Sequence, residues 1–168
     1  MADYIDYVKT VKKILEHIHD RIAAMPDIKK CSEQYGLPIG LSKSSLNEYV
    51  SKLENVILEA IFIHAFAESE KNIYDDLANT IASVELKQVS NFSSKCSFDP
   101  MKFKKELVDF DSIAKVIKFN DSNLAAINLY KKLRDYYAHG KRFPADEFIN
   151  SIIIKTEIEN MLDIIKIK

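Results

Sequence analysis

YVSKLENVILEAIFIHAFAESEKNIYDDLANTIA, residues 49–82, decides the fold. Across 34 positions it holds neither Gly nor Pro, and its apolar residues recur at three-and-four spacing, the period of a helix and not of a strand. Between Val56 and Phe66 the apolar residues run around much of the helical circumference, as expected of a central helix packed on several sides. Ser44 or Ser45 can cap its start, with Glu48 near the position from which a carboxylate reaches back to the capping amide. Residues 69–71 are where the helix could divide in two. His64, inside the apolar run, reads as a hydrogen-bonded core histidine rather than a base.

Outward from this stretch the same reading continues. The whole chain of 168 residues contains 3 Gly and 4 Pro, few breakers for its length, so the expectation is an all-α bundle of about four to six helices with short connecting helices. A first helix is predicted over residues 3–24, with Tyr4, Tyr7, Val8, Val11, Leu15, Ile18 and Ile22 as its inner stripe and Met25-Pro26 as its end. Residues 26–44, with two Gly and two Pro, read as a long loop or a loop with a short turn of helix. A polar loop at NFSSKCSFDP precedes predicted helices over 100–109 and 111–118. Asn120-Asp121-Ser122 opens a helix that runs to about His139 and stops at Gly140, and a last helix begins near Pro144-Ala145-Asp146.

Length and composition bound the class. One domain spanning 1–168 is expected, with 47% apolar and 29% charged residues, in the range of soluble globular proteins. The net charge of −1 supplies no global field towards nucleic acid, so contact with RNA requires a local basic patch. Cys31 and Cys96 have no CxxC or His-rich neighbour, which fits a reducing cytoplasm better than a disulfide framework or a zinc site. Met1 to Lys13 lacks the apolar stretch of a secretory signal, and no apolar run is long enough for a membrane span. His17 and His19 face different directions on a helix, and Asp75-Asp76 and Asp109/Asp111 lack convergent spacing, so no metal or other cofactor is called.

The chemistry concentrates in KLRDYYAHGKRF, residues 132–143. Of 24 Lys+Arg, only Arg21, Arg134 and Arg142 are arginine. Two of them fall in this segment, where a planar guanidinium can grip a phosphate as a lysine cannot. Projected at about 100° per residue, Ala126, Leu129, Tyr130, Leu133, Tyr136 and Tyr137 share the inward side. Asn128, Lys131, Lys132, Asp135 and His139 lie opposite, with Arg134 at the margin and able to lean in. Asp135 and His139 are an i,i+4 pair, so the carboxylate can orient the imidazole. The helix C-terminus favours an imidazolium there. These parts suit RNA cleavage without metal, in which the 2′-hydroxyl attacks the adjacent phosphate, His139 moves the proton and Arg134 stabilises the phosphorane. Lys131, Lys132, Lys141, Arg142 and Tyr136 are the candidate substrate contacts; Glu68 and Glu70, on the neighbouring helix, are candidate partners for Arg134. The competing reading is a solvated Arg/Asp/His face on which Gly140 merely ends a helix.

Arg134-Asp135-Tyr136-Tyr137-Ala138-His139, followed by Gly-Lys-Arg, resembles the motif of helical HEPN-domain ribonucleases, most strongly over residues 120–143. The resemblance implies a toxin or antiphage-defence RNase, RNA as substrate, a homodimer in which two Arg134/His139 sets meet across a two-fold axis, and a cognate antitoxin or other defence protein as partner. Asp135 stands where the family often has Asn or His. Lys141 stands where one toxin subgroup carries a tyrosine that its antitoxin modifies, so that modification is not expected here. The alternative within the same resemblance is a non-catalytic module that binds RNA, nucleotide or a protein.

Overall fold

The computed structural model describes residues 3–88, 121–141 and 145–165. The helices expected over 100–109 and 111–118, with Cys96 and Arg142, lie outside the described residues. Every described element is helical: α1 (Tyr4–Ala24), α2 (Ile28–Tyr35), α3 (Lys43–Gln88), α4 (Asp121–Ala138), α5 (Glu147–Ser151) and α6 (Ile154–Ile165). None is long and apolar enough to cross a membrane.

α1 buries Val8, Leu15 and Ile22, spaced by two turns. Met25 ends it in extended backbone, the conformation that a following proline imposes. Tyr7, expected in the stripe, is instead 56% exposed, because it sits about 100° around the helix from Val8. α2 turns the expected loop into two helical turns. Asp27 accepts a hydrogen bond from the Lys30 amide, and Gly36 at φ +63° closes the C-terminus, a conformation glycine adopts without Cβ strain.

α3 is the axis of the bundle, against which α1, α4 and α6 pack. Its cap is Ser42, two to three residues earlier than expected: Oγ accepts from the Ser45 amide at 3.1 Å and the carbonyl from Leu46 at 2.9 Å. Glu48 pairs with Lys52 at 2.7 Å instead of reaching back. The helix runs 46 residues without the break considered at residues 69–71. Ser69 is buried, and its hydroxyl donates to the Ile165 carbonyl at 2.7 Å, so it closes the open end of α6 and leaves its own backbone ladder alone. His64 is exposed, a correction to its core reading; it lies on the side of α3 turned from the bundle.

Among the described residues, two apolar clusters fill the interior. Val8, Leu58, Phe62, Phe66, Ile127, Leu133, Ile158 and Met161 join α1, α3, α4 and α6. Leu15, Ile22, Cys31, Leu37, Leu46 and Val50 close the α1–α2–α3 end. On α4 the inward face includes Ile127 at 3% exposure, while Leu129, expected inside, is 36% exposed. The helix is turned towards Ile127 and Arg134, which brings Arg134 over the Phe66 ring, 5.3 Å from its centroid. The expected single last helix is two. α5 is capped by Asp146, which accepts from the Ile149 amide at 2.9 Å. α6 restarts where Glu157 accepts from the Ile153 amide at 3.2 Å and Thr156 donates to the Ile153 carbonyl at 3.0 Å. Three successive isoleucines, β-branched and weak in a helix interior, occupy the joint.

Candidate functional site

The C-terminal half of α4 lies along α3, and its charged side chains are held from there. Arg134 Nη2 donates to both carboxylate oxygens of Glu70 at 2.7 Å. Its Nη1 lies 2.9 Å from Asp135 Oδ1, while Nε is buried without a hydrogen bond among the described residues. The guanidinium is thus fixed by two carboxylates and an aromatic face. Glu68, the other candidate partner, instead accepts a hydrogen bond from the Tyr4 hydroxyl at 2.7 Å. That bond and the Glu68 charge push the Tyr4 hydroxyl up to about 12.

Past Arg134 the chain leaves the helix in an ordered way. Gly140 N–H donates to the Tyr137 carbonyl and Lys141 N–H to the Tyr136 carbonyl, both at 2.9 Å, the paired bonds of a Schellman ending. Gly140 takes φ +63° as expected, and Lys141 also takes φ +61°, where a Cβ-bearing residue costs roughly 1–2 kcal/mol. Lys141 is held there by Glu59, 2.8 Å from its Nζ, and by the Tyr137 ring, 5.5 Å away. His139 is exposed at this helix end. Asp135, read as its orienting group, places Oδ1 beside Arg134 Nη1. Lys131 is half-buried and Lys132 exposed. Lys141, an expected substrate contact, is ion-paired with Glu59. Burial, with the nearby Glu59 charge, pushes the Tyr137 hydroxyl up to about 12.

Glu59 was not among the expected site residues, although its signal was present. Glu59 and Glu70 are eleven residues apart on α3, close to three turns. Arg134 and Lys141 are seven apart on or just past α4, close to two turns, so each pair shares a side of its helix. The antiparallel crossing matches Glu70 with Arg134 and Glu59 with Lys141. Beside this second pair lies a groove of about 310 Å³, bounded by Asn55 and Glu59 of α3, Tyr136, Tyr137 and Lys141, and the α5–α6 joint.

Away from the bundle, α3 exposes Tyr49, Leu53 and Val56 at 42%, 37% and 60%, followed by exposed Ala60 and Ala67. The spacing of four, three, four and seven keeps them on one stripe, and Glu70 lies at its margin, turned towards α4. No family model, curated protein or solved structure matches the chain.

Proposed function

We propose that the protein is a metal-independent endoribonuclease of the HEPN type, acting as a toxin or antiphage-defence RNase. The observation that carries this reading is the placement of one fixed guanidinium and one exposed imidazole on the same helix end, Arg134 held by Glu70 and His139 at the α4 terminus. A phosphate approaching α4 displaces the Asp135 carboxylate from Nη1, while Glu70 keeps Nη2 in place. His139 removes the proton from the ribose 2′-hydroxyl, the 2′-oxygen forms a bond to phosphorus, and the bond to the 5′-oxygen breaks. The products are a 2′,3′-cyclic phosphate and a 5′-hydroxyl, and the leaving oxygen takes its proton from the matching histidine of a second copy. Support for that second copy is the exposed apolar stripe of α3, which leads to Glu70. A two-fold axis near that end brings two Arg134/His139 sets together. A cognate antitoxin would cover the same face.

Purified protein is expected to cleave RNA in EDTA and to lose cleavage in Arg134→Ala and in His139→Ala. Activity that requires Mg²⁺, or that survives His139→Ala, contradicts the reading. One observation favours a second reading, a non-catalytic module that binds RNA, nucleotide or protein: both terminal nitrogens of Arg134 already have carboxylate partners. On that reading binding persists in His139→Ala and no cleavage appears under any condition.

A further inference from the structure

His139 stands where a helix is least able to hold a side chain still. It follows Ala138, the last residue of α4, and its own amide donates to the Asp135 carbonyl at 3.0 Å. Helix ends fray, and their hydrogen bonds open most readily. A base that must meet a 2′-hydroxyl at hydrogen-bond distance tolerates little of that motion, since a misplacement of about 1 Å costs on the order of a hundredfold in rate. The residues two before and two after His139 are both fastened to α3. On the helix side, the Tyr137 ring meets the Phe62 ring edge-on, with centroids 6.4 Å apart. On the far side, Lys141 Nζ donates to Glu59 Oε1 at 2.8 Å. Phe62 and Glu59 are three residues apart, neighbours on one face of α3, so a single stretch of that helix brackets His139.

The two anchors are not equivalent. Tyr137 is held by packing, whatever chain follows it. The turn after His139 instead needs two successive residues in left-handed backbone, Gly140 at φ +63° and Lys141 at φ +61°. Glycine adopts it freely, whereas for a lysine it lowers the population roughly 5- to 30-fold against ordinary backbone. Two groups offset that strain: the Glu59 carboxylate, 15% exposed, and the Tyr137 ring, 5.5 Å from Nζ. With the Lys141 side chain 48% exposed, the pairing is of the same order as the strain and does not exceed it by much. A turn balanced so closely depends on Glu59, and the direction of the His139 side chain depends on the turn.

We infer that Glu59 is a positioning residue: through Lys141 it locks the turn that sets where His139 points. The inference rests on the ribonuclease reading for what His139 then does, while the lock itself is measured without RNA. Hydrogen exchange at the Gly140 and Lys141 amides, whose bonds to the Tyr137 and Tyr136 carbonyls close the turn, reads the lock. Glu59→Ala is expected to speed exchange at both about fivefold or more, with the denaturant midpoint near wild type. Lys141→Ala and Lys141→Gly remove the same charge, but only alanine keeps the strain. Alanine should therefore exchange as fast as Glu59→Ala, and glycine close to wild type. In RNA cleavage, Glu59→Ala and Lys141→Ala are expected to lower kcat about fivefold or more, with kcat largely retained in Lys141→Gly. Were Lys141 only a phosphate contact, its alanine and glycine variants would raise KM alike and Glu59→Ala would leave kcat unchanged. Unchanged exchange in Glu59→Ala, or equal exchange in the two Lys141 variants, overturns the inference. So does an unchanged kcat in Glu59→Ala once its turn has opened. A wild type that cleaves no RNA removes the ribonuclease reading alone: faster exchange in Glu59→Ala and Lys141→Ala, but not in Lys141→Gly, then still assigns Glu59 the placement of His139.

Discussion

The two ends of the bundle use polar residues differently. At the α1–α2–α3 end they close helices: Asp27 caps α2, Ser42 caps α3, and Lys43 donates to the Ala23 carbonyl at the end of α1 at 2.9 Å. His19 there hydrogen-bonds Asn47 at 2.8 Å across the α1–α3 contact. At the α3–α4–α6 end, charges face each other between helices: Glu70 with Arg134, Glu59 with Lys141 and Glu54 with Lys155, each at 2.7–2.8 Å. Capping bonds satisfy backbone groups that a helix must satisfy anyway. Interhelical ion pairs carry a desolvation cost that an apolar pair would avoid. Both ends rest on an apolar cluster, and the second in addition holds charged groups in place around a groove.

The largest expected effect tests how the α3–α4–α6 end is fastened together. Phe62 is fully buried and meets the rings of Phe66, Tyr130 and Tyr137, so Phe62→Ala is expected to lower stability by about 3–5 kcal/mol in denaturant unfolding. A loss under 1 kcal/mol would show that α4 is not fastened to α3 through this residue. Next comes a contrast of histidines. His139→Ala is expected to reduce RNA cleavage by about a hundredfold or more, while His19→Ala changes cleavage little and stability by only about 1 kcal/mol; equal effects would remove the distinction between the ends.

Glu70→Ala frees the Arg134 guanidinium from its α3 partner. Because the Arg134 and Glu70 side chains retain 22% and 18% exposure, the expected stability loss is discounted to about 1–3 kcal/mol. Cleavage should fall with it, whereas Glu68→Ala should leave cleavage near wild type. The pH response is smaller. Tyr4 and Tyr137 are raised from 10.0 to about 12 in the folded chain. The folded state therefore holds those protons more tightly than the unfolded chain does. Their contribution is fully present below pH 10 and is lost as pH rises towards 12. Alkaline unfolding should begin above pH 10 in the wild type, and the Tyr4→Phe, Tyr137→Phe double variant should show a flatter profile over that window. The smallest effect is Ser42→Ala, about 1 kcal/mol from the lost cap, with cleavage unchanged.

Much of the helical order is legible in residue spacing: α1 and α3 follow from apolar period, and the end of α4 from Gly140. What spacing does not carry is competition between partners. Ser44, Ser45 and Ser42 are chemically equal as caps, and only the approach of the preceding chain selects Ser42. The α5–α6 joint has no Gly or Pro; it depends on Glu157 reaching the Ile153 amide from within the next helix. Ser69 reads as a weak point because its bond to the Ile165 carbonyl joins residues 96 apart. In the candidate site the sequence places Arg134, Asp135 and His139 on one helix and names Glu70 as a possible partner. It pairs Asp135 with His139; the fold adds that Arg134 lies against α3, with Asp135 Oδ1 beside its Nη1. The Glu59–Lys141 pair is legible only once Glu59 and Glu70 are counted as three turns apart and the helices are crossed antiparallel.

On the proposed reading, Arg134 and His139 break RNA through the neighbouring 2′-hydroxyl. Its most direct test is the end group formed from an oligoribonucleotide in EDTA, beside the same oligomer carrying one 2′-deoxy residue at the cleaved position. A 2′,3′-cyclic phosphate and a 5′-hydroxyl are expected from the ribose substrate, with no cut at the deoxy position. A 5′-phosphate product, or cleavage of the deoxy substrate at the same rate, would contradict it.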